Sequence, residues 1–276
     1  MSLRIPAASG AAVLLSLTLT GCATVQNTLD LFAHSVLTGT PMSSYDQVDR
    51  DDPFAGSPAE DYGEGFDVPE AEPVGPYSRE QVAQAYATTQ DLLEAVYLDQ
   101  DAVFDEDNSG FTSLLSGRVL EWYLEDLGNE SLEENSRHLP FNLSPGTAEP
   151  IGDVVKVDGL MRAEATRDDQ GWDYLSVVTE YTIVHPIARP GKPVSMRLVT
   201  SHFGEVAFYD LGDGTLEAWP SWSRASAPVH CLEEFTFTPA FPDEFPRGEQ
   251  PRGPLQDAYD LESVRDMDEC EAVEET

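Results

Sequence analysis

The chain is short of positive charge. Its 276 residues include 15 Lys and Arg against 51 Asp and Glu, a formal net charge of -36, and only Lys156 and Lys192 are lysines. Nucleic-acid binding requires a basic face that neutralises phosphates, so this balance argues strongly against a nucleic-acid partner. Anionic lipid surfaces should repel the chain for the same reason, and the charge by itself specifies no other partner.

Long apolar runs are also scarce. The continuous apolar stretch at residues 7–19 is shorter than the roughly 20 residues that a membrane-spanning helix needs. No second run follows residue 22, so no later segment is predicted to span a membrane.

The first 22 residues have the order of an export signal. Arg4 supplies a positive start, residues 7–19 are apolar, and small residues precede Cys22. An ordinary buried helix is the alternative, but it would not open the chain with this charge order. Leu19-Thr20-Gly21-Cys22 resembles the lipobox of bacterial lipoproteins. The resemblance implies that the signal is removed, that a diacylglyceryl group is added to the Cys22 thiol, and that further acylation such as palmitate makes the anchor permanent. The chain would then lie on the extracytoplasmic face of the cell membrane.

Two further cysteines remain after lipidation, Cys231 and Cys270. In an oxidising compartment a disulfide between them would persist and would attach the acidic tail to the domain. Closing that loop is worth roughly 4 kcal/mol by the chain-entropy argument. Two free thiols are the alternative, and the spacing leaves both possibilities open.

Composition divides the mature chain into three parts. Residues 41–77 hold six prolines, four glycines and ten acids, which predicts a disordered linker. The expected organisation is a signal at 1–21, an anchor and linker at 22–77, one domain at 78–240 and an acidic, mostly disordered tail at 241–276.

Helix signals open the domain. Ser78 and Gln81 have the spacing of a capping box, and apolar residues at helical intervals predict a helix over 78–98. A second helix is predicted over 111–127, where Gly128 ends the pattern.

Strand signals follow. Residues 153–166, 172–184 and 194–209 are rich in β-branched and aromatic side chains, and shorter strands are predicted at 216–219 and at Phe235 to Phe237. Alternation in the second of these strands places one set of its side chains on one face: Leu175, Val177, Tyr181 and Ile183. Helices followed by antiparallel strands predict an α+β fold with N-terminal helices packed on the sheet.

This order of elements over 78–240 resembles the cone-shaped nuclear transport factor 2-like fold. In that fold helices pack into the hollow of a curved antiparallel sheet, and several exported lipoproteins and secretion-assembly proteins share it. The resemblance implies a curved sheet whose hollow sometimes holds a ligand or an acid–base pair. Another exported α+β domain is the alternative.

One short stretch suggests a metal site. Asp105, Asp107 and Ser109, followed by Gly110, resemble the opening of an EF-hand calcium loop. The twelfth position of such a loop, which should be a bidentate glutamate, is Ser116 here. A helix cap and turn is the alternative interpretation.

A pocket between helices and sheet is the second candidate. Aromatic and histidine side chains of the predicted strands would line it: Trp172, Tyr174, Tyr181, His185, His202, Tyr209 and Trp219. His202 lies within a strand and is the candidate general base, whereas His185 precedes Pro186 and is expected at a strand end. A strand histidine without a placed carboxylate more often has a structural role. G-x-S-x-G, phosphate-loop, H-E-x-x-H and paired C-x-x-C motifs are missing, which weakens the enzyme hypothesis.

We therefore expect a lipid-anchored extracytoplasmic binding or scaffold protein of the bacterial cell envelope, with an envelope protein as partner and no cofactor. A small-molecule enzyme and a calcium-responsive module are the alternatives.

Overall fold

The computed structural model describes residues 48–131, 134–230, 235–243, 257–260 and 276. Cys22, Cys231 and Cys270 lie outside these residues. The lipidation and disulfide hypotheses therefore stay predictions.

After a short strand, β1 (Gly63–Glu64), the described chain forms four α-helices: α1 (Arg79–Tyr97), α2 (Gln100–Asp105), α3 (Ser109–Leu114) and α4 (Gly117–Asp126). The predicted capping box begins α1. The Ser78 hydroxyl accepts the Gln81 N–H at 3.3 Å, and the Gln81 side chain accepts the Ser78 N–H at 3.0 Å. No helix among the described residues is long and apolar enough to cross a bilayer.

The prediction of one continuous helix over 111–127 is wrong, because the chain breaks between α3 and α4. Ser116 is extended, with φ -141° and ψ 165°, and Gly117 has a left-handed φ of +56°. A left-handed residue cannot continue a right-handed helix. The break redirects α4, so that Phe111 of α3 packs edge-on against Tyr123 of α4, with ring centroids 5.5 Å apart.

Five further strands follow the helices and form a six-stranded sheet with β1: β2 (Glu149–Pro150), β3 (Lys156–Arg167), β4 (Asp173–Ala188), β5 (Ser195–Asp210) and β6 (Leu216–Ala227). Their order is β1-β3-β4-β5-β6, with β2 paired to β4, and every pairing is antiparallel. The predicted α+β class is confirmed. The short strand predicted at Phe235 to Phe237 is wrong, since Phe237 makes only an isolated bridge to Leu143.

The two faces of β4 have different surroundings, as its alternation predicted. Leu175, Val177, Tyr181 and Ile183 are buried in the main core, which lies between this face and the helices. Tyr174 and Val178 on the opposite face, called here the outer face, are less buried.

The prediction of a disordered linker over 41–77 is wrong for its described part, residues 48–77. Phe54 and Ala59 are buried on the outer face against Val184 of β4 and Val199 of β5. Average composition hid these contacts, because a few apolar side chains spaced among acids and prolines are enough to attach the segment. The folded unit therefore extends back at least to residue 48.

The acidic tail also reaches the outer face at two described points. Ala258 is buried in the same small cluster as Phe54. The Arg197 guanidinium of β5 donates to the carbonyl oxygens of Pro53, Ala55 and Thr276 at 2.8, 2.9 and 2.9 Å. The prediction of a mostly disordered tail at 241–276 concerns mainly residues outside the described ones, and it stays a prediction there.

Candidate functional site

His202, the candidate base, lies on β5 and is completely buried. Its Nδ1 is 2.8 Å from the hydroxyl oxygen of Tyr97, the last residue of α1, and its Nε2 is 2.9 Å from Oγ1 of Thr179 on β4. The rings of Tyr97 and Trp222 both lie with centroids 5.5 Å from the imidazole. Both ring nitrogens are therefore occupied by protein groups.

Burial sets the charge state of this site. It lowers the pKa of His202 to about 3, and the positive charge of Arg224 acts in the same direction. The imidazole is consequently neutral at neutral pH. Arg224 donates to the carbonyl oxygens of Pro140, at 2.6 Å, and of Leu139, and its guanidinium lies over the Tyr97 ring at 5.5 Å.

His185 was expected at a strand end, and this prediction is wrong. The strand β4 continues through it to Ala188, because β5 pairs with β4 as far as Ala188. His185 is buried, and its Nε2 donates to the carbonyl oxygen of Tyr97 at 2.8 Å. Burial lowers its pKa to about 4.

This geometry gives His202 a structural role. A general base must come within hydrogen-bond reach of a substrate proton, and the surroundings of His202 are filled by core side chains. A cavity of about 10 Å³ lined by Tyr97 and His185 has room for about one water molecule. The predicted pocket at His202 is thus occupied by the protein itself.

Four of the predicted pocket residues lie away from His202. Tyr174 and Tyr209 stack on each other, with centroids 5.3 Å apart, and Trp172 is 65% exposed in the turn before β4. Trp219 packs against Trp122 of α4 at 5.7 Å. The predicted pocket set therefore combined side chains from both faces of β4, although alternation places Tyr174 and Tyr181 on opposite faces.

The candidate calcium residues form a local turn. Asp105 ends α2, Glu106 has a left-handed φ of +58°, and Asp107 Oδ1 accepts the Ser109 N–H at 3.0 Å. The Ser109 hydrogen bonds hold the pKa of Asp107 below its usual value. Within the described residues, no group of three or more His, Cys, Asp or Glu is placed to hold a metal ion.

A surface cleft of about 400 Å³ lies where the segment before β1 meets the start of β3. Its lining includes Arg50, Asp52, Glu64, Asp153 and Lys156. The cleft is acidic because its lining holds five carboxylates and two cations, Arg50 and Lys156. The Lys156 ammonium donates to the Tyr62 carbonyl oxygen at 2.9 Å. Sequence reasoning missed this cleft because it treated one of its walls as disordered.

Comparison with known proteins adds no assignment. No protein-family model, curated protein or solved structure matches the chain. The resemblances to a lipobox and to the cone-shaped fold stay predictions, and function is argued from the residues themselves.

Proposed function

We propose that this protein is a lipid-anchored, extracytoplasmic binding or scaffold protein of the bacterial cell envelope. The observation that carries the binding role is the contrast between its interior and its surface. His202 and its polar neighbours are closed off by core side chains, whereas Trp172 is the most exposed large apolar side chain of the described residues. Exposed aromatic side chains are typical anchors of protein interfaces.

The proposed location on the extracytoplasmic face of the membrane rests on the sequence around Cys22. Residues 23–47 join Cys22 to Val48, which is buried beside Ile151 and Ala188. The Val48 N–H donates to Oγ of Ser195, the first residue of β5, at 3.0 Å. A chain anchored at Cys22 therefore enters the folded unit at this end of β4 and β5.

Intact-mass analysis of the native product, together with membrane fractionation, tests the anchor. We expect a mature chain that begins at Cys22 with added acyl mass and that sediments with membranes. The Cys22→Ser variant should lose both properties. A polypeptide that still begins at Met1 and carries no acyl mass would overturn the proposed lipid anchor and location.

Crosslinking in intact envelopes tests the binding role. The full-length wild-type chain should recover the same envelope component in repeated preparations, and an unrelated lipoprotein of similar abundance should not recover it. Failure to recover a specific component at any crosslinker length would overturn the proposal.

The two alternatives have weaker support. An enzyme that uses His202 needs substrate access to a side chain with no exposed surface. A calcium-responsive role needs further ligands beside Asp105 and Asp107. Calorimetric titration with calcium checks the second alternative, and no heat at millimolar metal would end it.

A further inference from the structure

The outer face of the sheet ends in an aromatic surface. Tyr174 of β4 and Tyr209 of β5 stack at an interplanar angle of 28°. Trp172 lies in the turn before β4, and Leu211, which is 52% exposed, lies in the turn after β5. We call these four residues the aromatic end.

The turn that carries Trp172 is stabilised by the Asp168 carboxylate together with two backbone hydrogen bonds. Asp168 Oδ1 accepts the N–H groups of Gln170 and Trp172 at 2.9 and 2.8 Å. Asp168 Oδ2 accepts the Tyr209 hydroxyl at 3.2 Å, which joins the turn to β5. Trp172 is therefore presented on an ordered support, so that little backbone freedom remains to be lost on binding.

Carboxylates predominate at the aromatic end, and the nearby cation Arg167 is paired with Asp173 at 2.8 Å. Burial raises the pKa of Tyr209 to about 12, and the hydrogen bond to Asp168 and its charge act in the same direction. Burial and then the charge of Glu205 raise the pKa of Tyr174. Asp169 and Asp210 are exposed in or beside the two turns.

The aromatic end lies far from the point where the linker enters. Val48 contacts the sheet beside Ala188 and Ser195, at one end of β4 and β5. Trp172 and Leu211 adjoin the other end of these two 16-residue strands. Sixteen residues of strand span about 50 Å. A partner at the aromatic end therefore binds at the opposite end of β4 and β5 from the point where the linker enters.

We propose that the aromatic end is a docking surface for a partner that presents an arginine- or lysine-rich segment. The inference rests on the proposed binding function and names its surface. A cation over the face of an exposed tryptophan is attracted to the ring, and the neighbouring carboxylates steer positive charge toward it. A second copy of this chain is a poor occupant, because a net charge of -36 on each copy opposes self-association.

Calorimetric titration of the full-length protein with a hexa-arginine peptide tests the surface. Trp172→Ala removes the ring, and Asp169→Asn with Asp210→Asn removes two charges while retaining the side-chain oxygens. We expect each change to weaken binding about five-fold, and added salt to weaken it further. Because Trp172 is exposed, its variant should keep the wild-type melting temperature, and Trp172→Phe should retain part of the affinity.

The controls are matched in type and lie on α4. Leu124→Ala removes a side chain that is 53% exposed, and Glu121→Gln with Glu125→Gln removes two exposed charges. Both should change the affinity less than two-fold. If the two charge-removing pairs weaken binding equally and Trp172→Ala has no effect, the attraction is diffuse and the proposal is overturned. Preference for an uncharged oligosaccharide over hexa-arginine, lost in Trp172→Ala, would overturn the partner chemistry.

Envelope crosslinking separates this inference from the proposed function. Loss of the recovered component in Trp172→Ala, but not in Leu124→Ala, supports the aromatic end. Equal recovery by wild type and Trp172→Ala overturns this surface and leaves the binding function standing. If the wild type recovers no specific component, the binding function itself is overturned. If the wild type sediments as a dimer and Trp172→Ala sediments as a monomer, the surface binds a second copy of this chain and the proposed partner is wrong.

Discussion

The hydroxyl oxygen of Tyr97 lies 2.8 Å from Nδ1 of His202, and this contact joins the end of α1 to β5 of the sheet. The backbone of the same tyrosine accepts the Nε2–H of His185 from β4. One residue thus ties the helix layer to two adjacent strands. Both Tyr97 and His202 are fully buried, so the contact belongs to the folding core.

Tyr97→Phe should destabilise the fold. Removing the hydroxyl leaves His202 Nδ1 without this partner in a buried site, which costs about 1–3 kcal/mol of unfolding free energy. Urea unfolding of the mature chain measures the loss. Tyr174→Phe is the control, because its hydroxyl is only partly buried and 3.4 Å from Glu205, and its effect should stay within about 0.5 kcal/mol. Equal losses in the two variants would contradict the structural role of this contact.

Stability should fall as the pH falls below about 6.5. Burial lowers the pKa of His202 to about 3 and that of His185 to about 4, from a usual value of 6.5. The unfolded chain therefore binds these protons at a higher pH than the folded chain does. The contribution of the two histidines to the free energy of unfolding is fully present above pH about 6.5. It is lost as the pH falls toward 4 for His185 and 3 for His202, at about 1.4 kcal/mol per pH unit for each histidine.

A comparison of the wild type with His202→Gln tests whether His202 causes this pH dependence. Urea unfolding between pH about 7 and 5 gives the slope for the wild type and for His202→Gln. The variant should lose one of the two histidine contributions and show a shallower slope. An unchanged slope would mean that His202 takes no part in the titration.

Arg197→Leu should loosen the segment that precedes β1. The guanidinium donates to two carbonyl oxygens of that segment, those of Pro53 and Ala55, and a hydrogen bond to a charged group is worth about 1.5–3 kcal/mol. Trypsin cleavage after Arg50 should accelerate, as measured by mass spectrometry. Arg162→Leu removes an arginine whose side chain is half exposed, and it should leave cleavage after Arg50 unchanged. Equal rates in the wild type and in Arg197→Leu would refute this attachment.

Gly159→Ala should be strongly destabilising. A Cβ at Gly159 would lie 2.1 Å from the carbonyl oxygen of Glu180, and its φ of +142° is one that side chains rarely adopt. The substitution must push β3 away from β4, and we expect a loss above about 2 kcal/mol. Gly128→Ala is the control, since a Cβ there meets nothing within 4 Å. Thermal unfolding of both variants is the measurement, and similar melting temperatures would contradict the close approach of the two strands.

The cysteine hypothesis has a direct chemical test. Thiol titration of the unfolded, unreduced mature chain should find no reactive thiol if Cys231 and Cys270 are bridged and Cys22 is lipidated. Two reactive thiols in lipidated protein would exclude the bridge.

Sequence reasoning succeeded where the signal is local. The capping box at Ser78 and Gln81 depends on residues three apart, and the two faces of β4 follow from the period of a strand. It failed over 111–127 because helical spacing of apolar residues does not show that Gly117 takes a left-handed conformation. It failed at His185 because a following proline suggested a strand end, while pairing with β5 extends the strand to Ala188.

By itself the sequence determined the acidic character of the chain, the signal-like order before Cys22, and an α+β arrangement of helices followed by strands. These properties depend on composition or on neighbouring residues. Only the tertiary structure decided that His202 is closed within the core, that residues 48–77 contribute to the fold, and that Trp172, Tyr174, Tyr209 and Leu211 gather at one end of the sheet. Those outcomes depend on contacts between residues distant in the chain, such as Tyr174 and Tyr209, which the register of β4 on β5 brings together.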